Sequence, residues 1–144
     1  MAHSATATGS AVSAANDAER LVLRLLAEVA RNPAIIDELC TEDVVRHLPM
    51  GFENDGRAAF RRAEEDMLGG LDGMTVTPTH VLSAGNLVSV RFVMKARHTG
   101  TVSGFAATGH DVETTGQVIA RVDDGRIGEI WEEFDFYRFM QQLR

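Results

Sequence analysis

The sequence predicts an α+β domain in which helices cover one face of a curved antiparallel sheet. In the first half of the chain, apolar residues recur mainly at helical spacing. The second half consists of β-branched runs separated by short turns rich in glycine, asparagine and aspartate. Because helices come first and the strands then follow one another, an antiparallel meander is expected rather than alternating βαβ units.

Length and composition bound the class of protein. The chain has 144 residues, 44% hydrophobic and 24% charged, which is typical of one globular domain. The formal charge of −7 argues against a nucleic-acid partner. No apolar run approaches the roughly 20 residues that span a bilayer, so no membrane partner is expected. The single cysteine, Cys40, excludes an intramolecular disulfide and a cysteine-rich zinc site.

The N-terminal segment is expected to lie outside the domain. Residues 1–15 are rich in alanine, serine and threonine, which predicts a disordered arm followed by a single domain over residues 16–144. The segment lacks the basic start and apolar stretch of a secretory signal, so a cytoplasmic protein is expected.

Two helices open the domain. Asn16 is a predicted N-cap, with Glu19 three residues later to complete a capping box, so the first helix begins near Asp17. Its apolar stripe consists of Leu21, Val22, Leu25, Leu26 and Val29. A second, short helix starts at Pro33, because proline is tolerated at the first helical position.

A strand and a third helix follow. Residues 43–48 are β-branched and end before a proline, which predicts a first strand. Residues 50–56 are predicted to form a loop. Residues 57–68 carry apolar side chains at helical spacing and stop at Gly69 and Gly70, which predicts the third helix.

The second half predicts four strands and a final helical turn. The strands are placed near residues 74–83, 87–98, 110–122 and 126–134. The last helical turn begins near Phe136, where apolar residues again repeat at helical spacing.

Alternation of side chains assigns the faces of these strands. In the second of the four, one face carries Phe92 and His98, and it is predicted to face inward. In the third, the inward face carries Thr114 and Val118. The last strand has large apolar side chains on both faces, so its orientation stays open.

Several segments together resemble a known family. These are VVRHLPMG, GRAAFRR, GNLVSVRF, RHTGTVSGFAATGHDVET, ARVDDGRIGEIW and FYRFMQQL, in this order. They resemble the SnoaL-like polyketide cyclases of the nuclear transport factor 2-like superfamily, over residues 17–144. The resemblance implies a cone-shaped curved antiparallel sheet wrapped around a layer of three helices from the N-terminal half. It also implies an internal apolar pocket and a homodimer that pairs through the sheets.

The resemblance also shows where the chain departs from its relatives. Aldol-type cyclases of the family usually carry an acid/base carboxylate at the position that aligns with Val118, or with Gly116 if the register slips. The limonene-type epoxide hydrolases of the superfamily use an Asp-Arg-Asp set that would align with Thr99, Thr101 and Glu133, of which only Glu133 is acidic. Neither arrangement is complete here.

Four residues are candidate catalytic groups. Glu133 lies two residues beyond Trp131, and a carboxylate beside an aromatic in an apolar cavity would have a raised pKa; the alternative is a rim carboxylate in water. Asp135 falls where the cyclases often carry an aspartate, but it could instead cap the last helix. His98 and His47 match histidines of the family's blocks and could meet the pocket, although a structural role is equally open for each.

Seven residues are expected to bind substrate in the pocket: Phe60, Met67, Phe92, Phe105, Thr114, Val118 and Trp131. No phosphate loop, dinucleotide fingerprint or metal-spaced histidine pattern occurs, so no cofactor and no metal are expected.

The resulting hypothesis is a cofactor-free cyclase or isomerase that closes a ring in a small hydrophobic polyketide-like substrate, by templated cyclisation because the usual acid is missing. One alternative is an epoxide hydrolase or epoxide-opening cyclase that uses Glu133. Another is a non-catalytic dimeric binding protein. A homodimer is expected in each case, because Leu87, Val93 and Ile119 would leave apolar patches outside the cone.

Overall fold

The computed structural model describes residues 12–144. In chain order the elements are α1 (Asp17–Glu28), α2 (Ile35–Leu39), β1 (Cys40–His47), a 3-10 turn (Pro49–Gly51), β2 (Glu53–Asp55), α3 (Arg57–Leu68), β3 (Leu71–Ala84), β4 (Leu87–His98), β5 (Asp111–Asp123), β6 (Arg126–Phe134) and α4 (Phe136–Gln142). The predicted α+β class is confirmed, and each predicted helix and strand is present. In the described chain, no helix is long and apolar enough to cross a membrane.

The start of α1 follows the predicted capping pattern. The Asn16 side chain accepts a hydrogen bond from the Glu19 amide at 2.9 Å, and Glu19 Oε1 accepts one from the Ala15 amide at 2.9 Å. Of the predicted disordered arm, residues 1–11 lie outside the described residues. Residue 15, at its other end, is tied to the helix by this cap.

The sheet has the order β2-β1-β6-β5-β4-β3 and is mixed rather than wholly antiparallel. Strand β1 runs parallel to β6, with Arg46 opposite Ile130 and His47 opposite Trp131. The expectation of an antiparallel sheet is thereby corrected for this one pair. A long stretch of chain separates the two strands, so no tight turn imposes an antiparallel orientation on them.

Strand β2 lies within the segment predicted to be a loop. Its three residues pair antiparallel with the end of β1, from Val45 opposite Asp55 to His47 opposite Glu53. The segment is polar and too short to show an alternating pattern, so its strand conformation depends on the edge that β1 offers.

The core lies between the helices and the concave face of the sheet. Helix α1 buries Val22 and Leu25 there, and α3 buries Phe60. The inward residues predicted for β4 and β5 are buried as expected, including Val90 on β4 and Val118 on β5. Full burial of one such side chain contributes about 1.5–3 kcal/mol, so these few elements fix the helices against the sheet.

A β-bulge decides which face of β6 points inward. Arg121 pairs with Glu129 but Val122 pairs with Ile127, so one extra residue sits on β6 at this point. Beyond it, Ile130 is buried, which places Glu132 and Phe134 on the cavity side. Gly128 occupies the bulge, where an added Cβ would come within 2.6 Å of Asp123 Oδ2.

Candidate functional site

A largely apolar cavity of about 480 Å³ lies between α1, α3 and the concave face of the sheet. Five of the seven predicted substrate-binding residues line it: Phe60, Met67, Phe92, Thr114 and Val118. This volume is within the range of cavities that bind small molecules.

The other two predicted wall residues lie elsewhere. Trp131 is 38% exposed on the outer face of the sheet, because the residues of β6 that follow the bulge alternate with Ile130 inward and Trp131 outward. Its ring stacks on His47, with centroids 5.6 Å apart. Phe105 packs against the core from the loop of residues 99–110 and does not line the cavity.

One wall of the cavity carries a charged cluster, formed by Arg46, Glu64 and Glu132. Arg46 is only 7% exposed on β1, and its Nη1 donates to Glu64 Oε1 of α3 at 2.5 Å. The same Nη1 lies 3.7 Å from Glu132 Oε1 of β6. Three elements that are distant in sequence therefore bring one guanidinium and two carboxylates together at the edge of an apolar space.

Two further contacts hold Arg46 in place. Its Nε donates to Asn54 Oδ1 of β2 at 2.8 Å, and its guanidinium carbon lies 4.3 Å from the centroid of the Phe60 ring. The first is a hydrogen bond and the second a cation–π contact. The short strand β2 thus contributes to the site by orienting the arginine.

Of the two carboxylates in the cluster, Glu132 makes fewer hydrogen bonds than Glu64. Within residues 12–144 its side chain makes no direct hydrogen bond, and its one ion pair is the longer contact to Arg46. Burial in the apolar cavity raises the pKa of the Glu132 carboxyl above its ordinary value; Arg46 opposes this effect, and Glu64 reinforces it. A carboxyl group whose pKa is raised in this way can donate a proton to a bound ligand or accept one from it.

Glu133 does not reach the cavity, which corrects the expectation that it faces the pocket. It follows Glu132 on β6 and therefore points to the opposite face of the sheet. There it borders a shallow surface depression together with Arg91 and Gln117. This position agrees with the alternative stated for Glu133, a carboxylate exposed to water.

Asp135 caps α4. Its Oδ1 accepts a hydrogen bond from the Arg138 amide at 3.1 Å. The sequence left two roles open for Asp135, catalysis and helix capping. The observed hydrogen bond agrees with the capping role.

His98 is fully buried at the end of β4 and does not line the cavity. Its Nδ1 lies 2.9 Å from Thr108 Oγ1, and its Nε2 lies 3.3 Å from the Phe105 carbonyl oxygen. Both ring nitrogens are thus used within the loop of residues 99–110, which also brings Ser103 to the cavity wall. These contacts agree with a structural role for His98.

His47 lies on the outer face of the sheet, on the opposite side of β1 from Arg46. Its Nε2 is 2.7 Å from Glu129 Oε2, and its Nδ1 is 3.0 Å from Glu53 Oε2. The hydrogen bond with Glu129 is the main cause that raises the pKa of His47. The predicted catalytic set is therefore not brought together, because its members are divided between the outer face of the sheet, a helix cap and the buried end of β4.

The charged cluster was missed at the sequence level, although Arg46 and Glu64 each left a signal. Arg46 stands two residues after the fully buried Val44, so strand alternation turns it inward. Glu64 stands four residues after Phe60 and shares its helix face. Glu132 left no such signal, because large apolar side chains on both faces of β6 kept the orientation of that strand open.

A model of the SnoaL-like polyketide cyclase family matches residues 20–143. The chain belongs to this family. Its cone of helices and curved sheet is the architecture that the resemblance implied. No curated protein sequence shows significant similarity to this SnoaL-like chain.

Solved structures agree with this SnoaL-like fold. A proposed SnoaL-like polyketide cyclase from Jannaschia sp. CCS1 superposes with a TM-score of 0.83 at 18% identity, over 94% of this chain and 97% of that one. IdmH of Streptomyces antibioticus, a proposed polyketide cyclase, gives 0.77 at 27% identity, over 89% and 99%. A protein with a ketosteroid isomerase-like fold from Catenulispora acidiphila gives 0.73 at 16% identity, over 85% and 90%.

The SnoaL-like site consists of side chains suited to proton transfer and apolar binding. Between residues 12 and 144, no three histidine, cysteine, aspartate or glutamate side chains are grouped so that they could hold a metal ion. Burial raises the pKa of the Cys40 thiol to about 12, which makes this cysteine a poor nucleophile.

Proposed function

We propose that this protein is a cofactor-free cyclase or isomerase that closes a ring in a hydrophobic, polyketide-derived intermediate of secondary-metabolite biosynthesis, such as that of an antibiotic. The observation that carries the proposal is the Glu132 carboxyl, which stands in an apolar cavity with a raised pKa. Membership of the SnoaL-like family supports the class of substrate.

Glu132 acts as the acid and base in the proposed reaction. Its ionised form removes a proton from a carbon next to a substrate carbonyl, and the resulting enolate attacks a second carbonyl of the same molecule. The alkoxide that forms then takes the proton back from the Glu132 carboxylic acid, so the residue ends in its starting state. Arg46, 3.7 Å away, stabilises the ionised form that begins this cycle.

The cavity supplies the second part of the catalysis. Aromatic side chains such as Phe60, Phe92 and Phe134 enclose the ligand and exclude water. Holding a flexible chain in a folded conformer contributes up to about 7–11 kcal/mol in ideal intramolecular reactions. Templating therefore acts together with the carboxylate, whereas the sequence alone suggested templating without an acid.

The proposed enzyme is a homodimer that pairs through the outer face of the sheet. Leu87, Ile119 and Trp131 are 41%, 44% and 38% exposed there. Large apolar side chains grouped on a sheet face are typical of protein interfaces.

Hydrogen–deuterium exchange into β-tetralone, followed by NMR, tests the proton-transfer role directly. This bicyclic ketone is neutral, apolar and enolisable, so it reports carbon acid–base chemistry before the natural substrate is identified. Protein-dependent exchange is expected for the wild type. Glu132→Gln should lower its rate by about 10²–10⁴-fold, which is the usual contribution of a general base.

The matched variant is Glu133→Gln, which changes the neighbouring carboxylate on the outer face and should keep the exchange rate within about twofold. An equal loss in both variants would contradict the assignment to Glu132. If the wild type binds β-tetralone but does not accelerate exchange, the protein is a binding protein instead. Epoxide opening through Glu133 has no support from this geometry, because that carboxylate lies outside the cavity.

A further inference from the structure

The charge balance of the cavity cluster bears on which ligands can enter it. Arg46 is the one basic residue among the described residues that line the cavity. Two acidic residues, Glu64 and Glu132, share the same lining. With both carboxylates ionised the cluster carries a net charge of −1, and with Glu132 protonated it is neutral.

Arg46 is not free to turn toward an anionic ligand. Glu64 binds its Nη1 at 2.5 Å, Asn54 binds its Nε at 2.8 Å, and Phe60 covers one face of the guanidinium. The Arg46 and Glu64 side chains are only 8% and 15% exposed, so water screens this pair little. The positive charge is therefore satisfied inside the protein before any ligand arrives.

We propose that Glu64 determines the ligand class of this cavity: by neutralising Arg46 it makes the site select neutral ligands that carry a carbonyl or hydroxyl oxygen over carboxylates of the same shape. The proposal rests on the proposed function, since it concerns the same cavity. It adds a specificity-determining residue that is not itself the acid or base of the proposed reaction.

The physical reason is the cost of desolvating an anion. A carboxylate that enters an apolar cavity loses its hydration and needs a cation or several donors in return. Here it would meet a cation already paired with Glu64 and, in the ionised state, the like charge of Glu132. A ketone loses less hydration, and its oxygen can accept a hydrogen bond from the protonated Glu132 carboxyl.

The test compares two probes of nearly equal shape, β-acetonaphthone and β-naphthoate, which differ in carrying a methyl ketone or a carboxylate. Calorimetric titration of the full-length wild type should give at least about tenfold tighter binding of the ketone. Glu64→Gln keeps the size of the side chain but removes its charge. It should tighten naphthoate binding by about tenfold or more relative to ketone binding.

Glu65→Gln is the matched control, because Glu65 is the next residue of α3 and lies on its exposed side, 3.7 Å from Arg61. It should leave both affinities unchanged. A ketone-to-naphthoate ratio that stays within about twofold of wild type in Glu64→Gln would overturn the proposal. If Glu64→Gln does not fold, the wild type still decides, since equal or tighter binding of naphthoate would also overturn it.

The calorimetric titrations measure binding alone, so their outcome does not depend on whether the protein catalyses proton transfer. Selectivity for the ketone can hold in a protein that exchanges no protons, which would refute the catalytic proposal only. Proton exchange with no selectivity would refute the role of Glu64 only.

Discussion

Val118 of β5 and Glu132 of β6 are direct cross-strand partners, and both line the cavity. Side chains in such a pair have Cβ atoms about 4.5–5.5 Å apart. The carboxylate that the family resemblance placed at the position of Val118 is absent there, but Glu132 enters the cavity from the adjoining strand. This relationship is the reason why an acid/base mechanism fits the site.

Val118→Asp should destabilise the protein by about 1–3 kcal/mol, because it buries a second carboxylate next to Glu132 in an apolar wall. Urea unfolding measures the change, and affinity for an apolar ligand should fall as well. Gln117→Asp is the control on the exposed face of β5, where a change within about 0.5 kcal/mol is expected. A silent Val118→Asp would contradict the face assignment of this strand.

His98→Ala should loosen the loop of residues 99–110, because it removes both contacts of the imidazole with Thr108 and Phe105. Loss of a buried hydrogen-bonding group costs about 1–3 kcal/mol. Amide hydrogen exchange in the loop should accelerate, as measured by mass spectrometry. His110→Ala, an exposed histidine at the end of the same loop, should leave exchange unchanged; equal acceleration in both would argue against a specific role for His98.

His47 should make stability depend on pH. Its pKa is raised in the folded protein, mainly through Glu129, so the contribution is fully present below the ordinary value of 6.5 and is lost as pH rises through the raised value. His47→Gln should therefore lower the melting temperature more at about pH 5 than at about pH 9. His80→Gln, an exposed histidine on β3, is the control. An equal effect of His47→Gln at both values would contradict the prediction.

The proposed homodimer should be visible by light scattering as twice the chain mass of 15.7 kDa. Ile119 and Trp131 are cross-strand partners on the outer face, and a stable interface there would cover more than about 1,000 Å². Ile119→Asp should produce monomers, because it places a charge in that interface. A wild-type mass of 15.7 kDa at micromolar concentration would contradict the dimer.

Local sequence rules determined much of this fold. The cap at Asn16, the helical spacing in α1 and α3 and the alternation in β4 and β5 act over a few residues, so they could be read from the sequence alone. Five of the seven predicted substrate-binding residues line the cavity for the same reason. These rules also placed Val118 inside the cone, which the structure confirms.

Tertiary structure alone decided the polar part of the site. The bulge at Gly128 turns Glu132 inward and Glu133 outward, and it depends on how β6 pairs with β5. The pairing of Arg46 with Glu64 and Glu132 depends on the packing of β1, α3 and β6. Periodicity carries no information on either, because a one-residue bulge reverses every later side chain and because contacts between distant elements have no local pattern.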